Sequence, residues 1–190
     1  MDKHKIFIAI NIPEKIKERF LNYQKKWNDL PVRWVKKGDM HITLVFVGNA
    51  SSKEMGYICE AVKKEVLNYS FFNINFKKIL YFPENKIPPR MIWVLGEGVE
   101  ELSNLKKSLE NALLKEGIHF PIGMKMFKPH ITLGRVRVWD WKKIEPDERE
   151  DIEEDISMNF EVNSIEVMES KLKRKGGPEY TILESAKLKN

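Results

Sequence analysis

The tetrapeptide His-Ile-Thr-Leu occurs twice in this chain, at 41–44 and 130–133, and takes up two of its four histidines. Both copies sit in apolar, β-branched surroundings of the kind that form a strand half-buried in a sheet. Side chains alternate across a strand, so each histidine points to the same face as the threonine two residues on. His41 is thereby paired with Thr43, and His130 with Thr132. Two such strands flanking one cleft supply a general acid, a general base and two hydroxyl donors. That set is sufficient to hydrolyse or transfer a phosphate ester without a metal.

The rest of the chain reads as strands alternating with helices. His4 to Asn11 is an apolar strand, and Pro13 opens a helix with Ile16, Phe20, Tyr23, Trp27 and Leu30 at helical spacing, ended by Pro31. Val32 to Val35 forms a short strand, and the first motif strand runs to Val47 before Gly48-Asn49 breaks it. Ser51 or Ser52 caps a helix whose buried stripe is Met55, Ile58, Cys59, Val62 and Val66. The alternating Phe72, Ile74 and Phe76 then close a first lobe. A strand over Arg90 to Leu95 and a helix carrying Leu102, Leu105, Leu109, Ala112 and Leu113, stopped at Gly117, lead to the second motif. Trp139 to Asp155 reads as a polar connection. Terminal strands near Phe160 to Met168 and Tyr180 to Leu188 flank a basic loop, Lys171 to Gly177, with Lys173, Arg174 and Lys175. The repeated order of strand, helix and motif strand suggests two structurally similar halves.

With its flanking segments the repeat resembles the two-histidine (2H) phosphoesterases, and within them the RNA 2′,3′-cyclic phosphodiesterases, also called 2′-5′ RNA ligase-like proteins. The resemblance runs along nearly the whole chain. It includes Ile6 to Ile10 followed by Pro13, Val32-Arg33-Trp34-Val35, Phe82-Pro83, Pro89-Arg90 ahead of Trp93, and Phe127-Lys128-Pro129-His130. Arg135, Glu169 to Leu172, Gly177-Pro178 and Tyr180 complete it. The chain departs at Lys5, where the family more often carries arginine. The resemblance implies an α+β fold in which two pseudo-symmetric lobes, formed by a single domain over 1–190, line a central cleft with their sheets and carry their helices outside.

The resemblance also implies a reaction: hydrolysis of 2′,3′-cyclic phosphate RNA ends to 2′-phosphomonoesters, with His41 as proton donor to the leaving O3′ and His130 as base. Run backward, the same site would join cyclic-phosphate and 5′-hydroxyl ends, a 2′-5′ ligase activity that needs no ATP. Thr43 and Thr132 are expected to donate to the non-bridging oxygens. Arg135 is a candidate phosphate anchor if Gly134 permits a bulge that brings it into phase with His130. Trp34, Trp93, Phe127 and Tyr180 are candidates to line the cleft and stack on a base, whereas Phe7, Phe20, Trp27 and Phe46 fit buried faces.

The net charge of +5 favours a polyanionic partner, here RNA with a cyclic phosphate terminus such as a tRNA fragment. One cysteine, Cys59, cannot make an internal disulfide, and no apolar run approaches the length of a membrane span. A monomeric cytoplasmic protein that binds no membrane is expected. A noncatalytic RNA-binding protein of the same fold, or a phosphodiesterase for another small cyclic phosphate, are the alternatives. A metal centre is not expected, because no cluster of cysteine, histidine and carboxylate accompanies either motif. No cofactor is called for.

Overall fold

In the computed structural model, which describes residues 3–121, 127–173 and 178–190, both His-Ile-Thr-Leu runs are central strands of one nine-stranded sheet. In chain order the elements are β1 His4–Asn11, α1 Glu14–Lys26, β2 Val32–Trp34, β3 His41–Ala50, α2 Ser52–Val66, β4 Phe72–Phe82 and β5 Met91–Gly96. They continue with α3 Glu100–Lys115, β6 His130–Val136, α4 Val138–Trp141, β7 Glu153–Val162, β8 Ser164–Leu172 and β9 Pro178–Lys187. The strand order is β7-β4-β5-β6-β3-β1-β8-β9, with β2 attached to β6.

The two motif strands, β3 and β6, meet through a single antiparallel register pair, Ile42 with Ile131. On either side of that pair the strands part company. β3 continues along β1, and β6 continues between β5 and β2. One lobe is therefore β3-β1-β8-β9 and the other β7-β4-β5-β6 with β2, and the opening between them is the cleft.

This lobe division differs from the one expected from chain order. β4, the strand of Phe72, Ile74 and Phe76, belongs to the second lobe, where it pairs with β5 and β7. The terminal strands β8 and β9 return to the first lobe. The segment expected as one strand over Phe160 to Met168 is two strands, and the chain passes from one lobe to the other through Asn163. The expected polar connection over Trp139 to Asp155 likewise contains structure. Trp141 of α4 is buried edge-on against Tyr81, a one-turn 3-10 helix follows at Pro146–Glu148, and β7 already begins at Glu153.

The helices form where the apolar spacing calls for them. α1 buries Ile16 and Phe20, with Phe20 edge-on to Phe76 of the second lobe, and Gln24 donates to the carbonyls of Val35 and Leu133. α2 starts at a capping box in which Ser51 Oγ accepts from the Glu54 amide while the Glu54 carboxylate accepts from the Ser51 amide. It buries Ile58, Ala61, Val62 and Val66, leaving Met55 and Cys59 half-buried, and packs on the first lobe. α3 lies alongside it with Leu102, Leu105, Leu109 and Leu113 fully buried.

Gly48 does not end β3. It takes a left-handed φ of 90° beside a bulge at Val47, and the ladder with β1 resumes as far as Ala50. Arg174, Lys175 and Gly177 of the expected basic loop lie outside the described residues. No helix among the described residues is long and apolar enough to cross a membrane.

Candidate active site

Each catalytic candidate is placed by the same local device in both lobes. A short turn at Lys37–Asp39 leads into His41, and the His41 ring lies with Nδ1 2.7 Å from the Asp39 carbonyl oxygen. In the second copy His130 Nδ1 lies 2.8 Å from the Lys128 carbonyl. A carbonyl can only accept, so each Nδ1 carries its hydrogen, and Nε2 is left as the nitrogen that gains or loses a proton. Antiparallel pairing at Ile42 and Ile131 sets His41 across from Thr132 and Thr43 across from His130. The two imidazoles and two hydroxyls thus form a square on the cleft face.

The repeat extends beyond the tetrapeptide. The first seven residues of β3 and the seven of β6 share one burial pattern, position for position. The reason is a bulge at the leucine of each copy. Along β1 the register steps from Ala9–Thr43 to Ile8–Val45, leaving Leu44 unpaired, and along β5 it steps from Trp93–Thr132 to Ile92–Gly134, leaving Leu133 unpaired. A bulge reverses the alternation beyond it. Arg135 therefore faces the cleft with His130 and Thr132. By the same step Phe46 faces the cleft with His41 and Thr43 and is 48% exposed, contrary to its expected place in the core. The phase signal was available in the pairing of the two copies, where Phe46 and Arg135 occupy equivalent positions.

A cavity of about 350 Å³ opens on this face. It brings together His41, Thr43, His130, Thr132, Arg135, Trp34, Trp93 and Tyr180. Phe127 stands apart from these, on an adjoining hollow reached past Thr43, Phe46 and His130. Residues of the cavity to which the sequence alone assigned no role include Arg33, Lys36, Asp39 and Phe46. His4 is elsewhere, 2.7 Å from the Glu169 carboxylate and 3.2 Å from Ser52 Oγ, joining β1, β8 and α2. Arg90 is exposed and does not line the cavity.

Aromatic contacts hold the two histidines differently. His41 lies against Phe7 and edge-on to Tyr180, at ring separations of 4.9 and 5.1 Å. His130 stacks on Trp93 at 3.6 Å, and Phe82 stacks on Trp93 at 3.4 Å. Two rings that close to one indole must occupy opposite faces, since side by side they would collide. Trp93 thus has no face left for a base, and its expected stacking role is replaced by support of the His130 ring. Burial pushes the His41 imidazole down from 6.5 to about 4, opposed by its hydrogen bond to Asp39 and reinforced by the charges of His130, Lys17 and Arg135. His130 is lowered by burial against the opposing hydrogen bond to Lys128.

The profile of the family described as LigT-like phosphoesterase matches residues 10–93 and again 95–178. The chain belongs to that family. Each match holds one His-Ile-Thr-Leu motif, so the family match repeats along the chain with the motif, although each half contributes strands to both lobes. A relative from Thermotoga maritima, named RNA 2′,3′-cyclic phosphodiesterase, is 30% identical over 93% of this chain and 91% of its own. One of the same name from Methanocaldococcus jannaschii is 29% identical over 94% and 98%. A solved structure from Thermus thermophilus superposes with a TM-score of 0.82 at 25% identity, covering 97% of both chains. Escherichia coli LigT, solved with 3′-AMP, shares the fold with a TM-score of 0.79 at 20% identity, over the full length of both. This LigT-like protein is α+β, with a large antiparallel sheet and its helices outside the cleft.

Proposed function

We propose that this LigT-like phosphoesterase hydrolyses RNA ends carrying a 2′,3′-cyclic phosphate to 2′-phosphomonoesters. The observation that carries the reading is the juxtaposition of two Nδ1-anchored imidazoles and two threonine hydroxyls on one cavity, in a chain whose relatives bear the name of this activity. His130 Nε2 takes a proton from water as its oxygen attacks phosphorus. The bond to O3′ breaks, and His41 Nε2 delivers a proton to that oxygen, leaving the phosphate on O2′. Thr43 and Thr132 donate to the non-bridging oxygens as charge builds on them. Tyr180 and the exposed ring of Phe46 offer surface to a base at the cavity's edge. All these groups come from one chain, so a monomer supplies the whole site, and RNA ends as substrates agree with a cytoplasmic enzyme.

Incubating an RNA oligonucleotide ending in 2′,3′-cyclic phosphate with chelator-treated protein tests this directly. The expected product is the 2′-phosphate alone. A 3′-phosphate product would overturn the assignment of the leaving oxygen. An intact substrate at every pH would leave a binding protein instead.

The pH profile is a second expected result. kcat/KM follows the free-protein form that holds one proton on the histidine pair, with the other imidazole free to act as base. Both groups are lowered from 6.5, His41 to about 4, so the second proton is lost below 6.5. Raising the pH further removes the acid. The expected profile of kcat/KM peaks below pH 6.5 and falls about tenfold per unit well above it. A plateau extending to pH 8 would contradict the lowered values. Since the limbs belong to the pair, the profile has this shape whichever histidine is the donor.

A further inference from the structure

The cleft has two chemically different ends. β3 and β6 run antiparallel from their shared pair, so the equivalent positions Phe46 and Arg135 lie at opposite ends of the cleft. The Phe46 end is aromatic. At the other end β2 pairs with β6 such that Arg33 lies directly opposite Arg135. Val32 and Trp34 pack over Gly134, and Arg33 and Arg135, as register partners, both line the cavity.

Like charges directly opposite one another on a sheet repel, and such pairs are unfavourable unless something relieves them. Among the described residues no carboxylate does: neither Arg33 nor Arg135 has one within ion-pair distance, and the one polar contact of Arg135 is a long one, 3.7 Å to Met91 Sδ. The neighbouring Arg137, by contrast, is engaged by Asp140. Lys36 adds a third cation to the same cavity, against the single carboxylate of Asp39, which lies on the His41 side. A second, separate hollow adjoins the arginine pair, lined by Val32, Arg33, Trp34, Arg135, Val136 and Arg137.

We propose that Arg33 and Arg135 form a second phosphate subsite, which receives the phosphate on the 5′ side of the terminal ribose while the histidines act on the cyclic phosphate. The inference rests on the reading of this cavity as an RNA-end site and adds what selects the substrate. Arg135 lies about one strand repeat, roughly 7 Å, beyond Thr132. That separation suits a second phosphate on the same nucleotide rather than a second contact to the first. Two guanidinium forks facing one anion offer paired hydrogen bonds, and a phosphate placed between them cancels their repulsion. The base then extends toward Phe46, and the subsite favours an end that is part of a chain over a free nucleoside cyclic phosphate.

The test is calorimetric titration of the intact protein with adenosine 2′-phosphate and with adenosine 2′,5′-bisphosphate, at low and at raised salt. The expected result is binding of the bisphosphate at least about tenfold tighter, an advantage that shrinks with salt. In Arg33→Gln the ratio of the two affinities falls to within about twofold of one, and Arg33→Lys retains part of it because charge survives while the fork is lost. A ratio near one in the unmodified protein, or an undiminished ratio in folded Arg33→Gln, overturns the subsite. Hydrolysis of cyclic ends is measured separately. Turnover without any preference for the 5′-phosphate removes the subsite and leaves the reaction, whereas a preserved binding ratio without turnover removes the reaction and leaves the subsite.

Discussion

His41→Ala and His130→Ala are each expected to lower kcat/KM on a cyclic-phosphate RNA end by roughly 10³-fold or more. A positioned acid or base typically contributes about 10²–10⁴-fold, and here the two act in a single displacement. Among the described residues the one side-chain hydrogen bond of each imidazole runs from Nδ1 to a carbonyl two residues back, and its remaining contacts are with aromatic rings at the cleft wall. The variants should therefore remain folded. The double variant should be little slower than either single one, because residues that act as a unit do not contribute additively. Steady-state kinetics beside a thermal melt decides the matter. Loss of activity confined to one histidine, with the other replaceable at less than tenfold cost, would rule out the paired mechanism. His130→Ala also vacates one face of Trp93, so any change in indole fluorescence should appear in that variant and be absent in His41→Ala.

The motif strands, their alternation and the amphipathic helices were legible in the sequence because each depends on local spacing. The seven-residue match of β3 and β6 goes further than the tetrapeptide identity, and yet its consequence was not readable one strand at a time. Whether Arg135 and Phe46 face the cleft depends on bulges at Leu133 and Leu44, and a bulge is created by two strands in register, neither of which specifies it alone. Arg135 was readable as a conditional because Gly134 marked a possible irregularity. Phe46 has valine in place of that glycine and reads as an ordinary core residue. The lobe boundary failed for a related reason. Hydrophobic alternation in Phe72, Ile74 and Phe76 identifies a strand and says nothing of its partners, and β4 finds them in β5 and β7. Arg33 lay within a segment noted for its resemblance, but its role emerges only from its position opposite Arg135.

Gly134→Ala should be among the most destabilising single-methyl changes in the protein. A Cβ built at Gly134 would lie 2.3 Å from Val32 Cγ1 and 2.9 Å from Trp34 Cε3, far inside van der Waals contact. Neither neighbour can yield easily. Val32 is buried and β-branched, with little rotamer freedom, and Trp34 is a large ring partly buried against the core. Overpacking of this kind costs roughly 1–3 kcal/mol where a core can adjust, and the upper end or beyond is expected here. The remaining relief is for β2 to lift from β6, which separates Arg33 from Arg135 and opens the arginine end of the cleft. Chemical denaturation should thus show the stability loss, while surviving folded protein should lose most of its preference for a 5′-phosphorylated ligand. The equivalent residue in the first copy provides the control. Val45 already carries a β-branched side chain at that position, and Val45→Ala removes bulk where Gly134→Ala adds it. Its expected cost is that of a small cavity, about 1–2 kcal/mol, with the ligand preference retained. A Gly134→Ala protein as stable as its parent would show that β2 has no need of its close approach to β6.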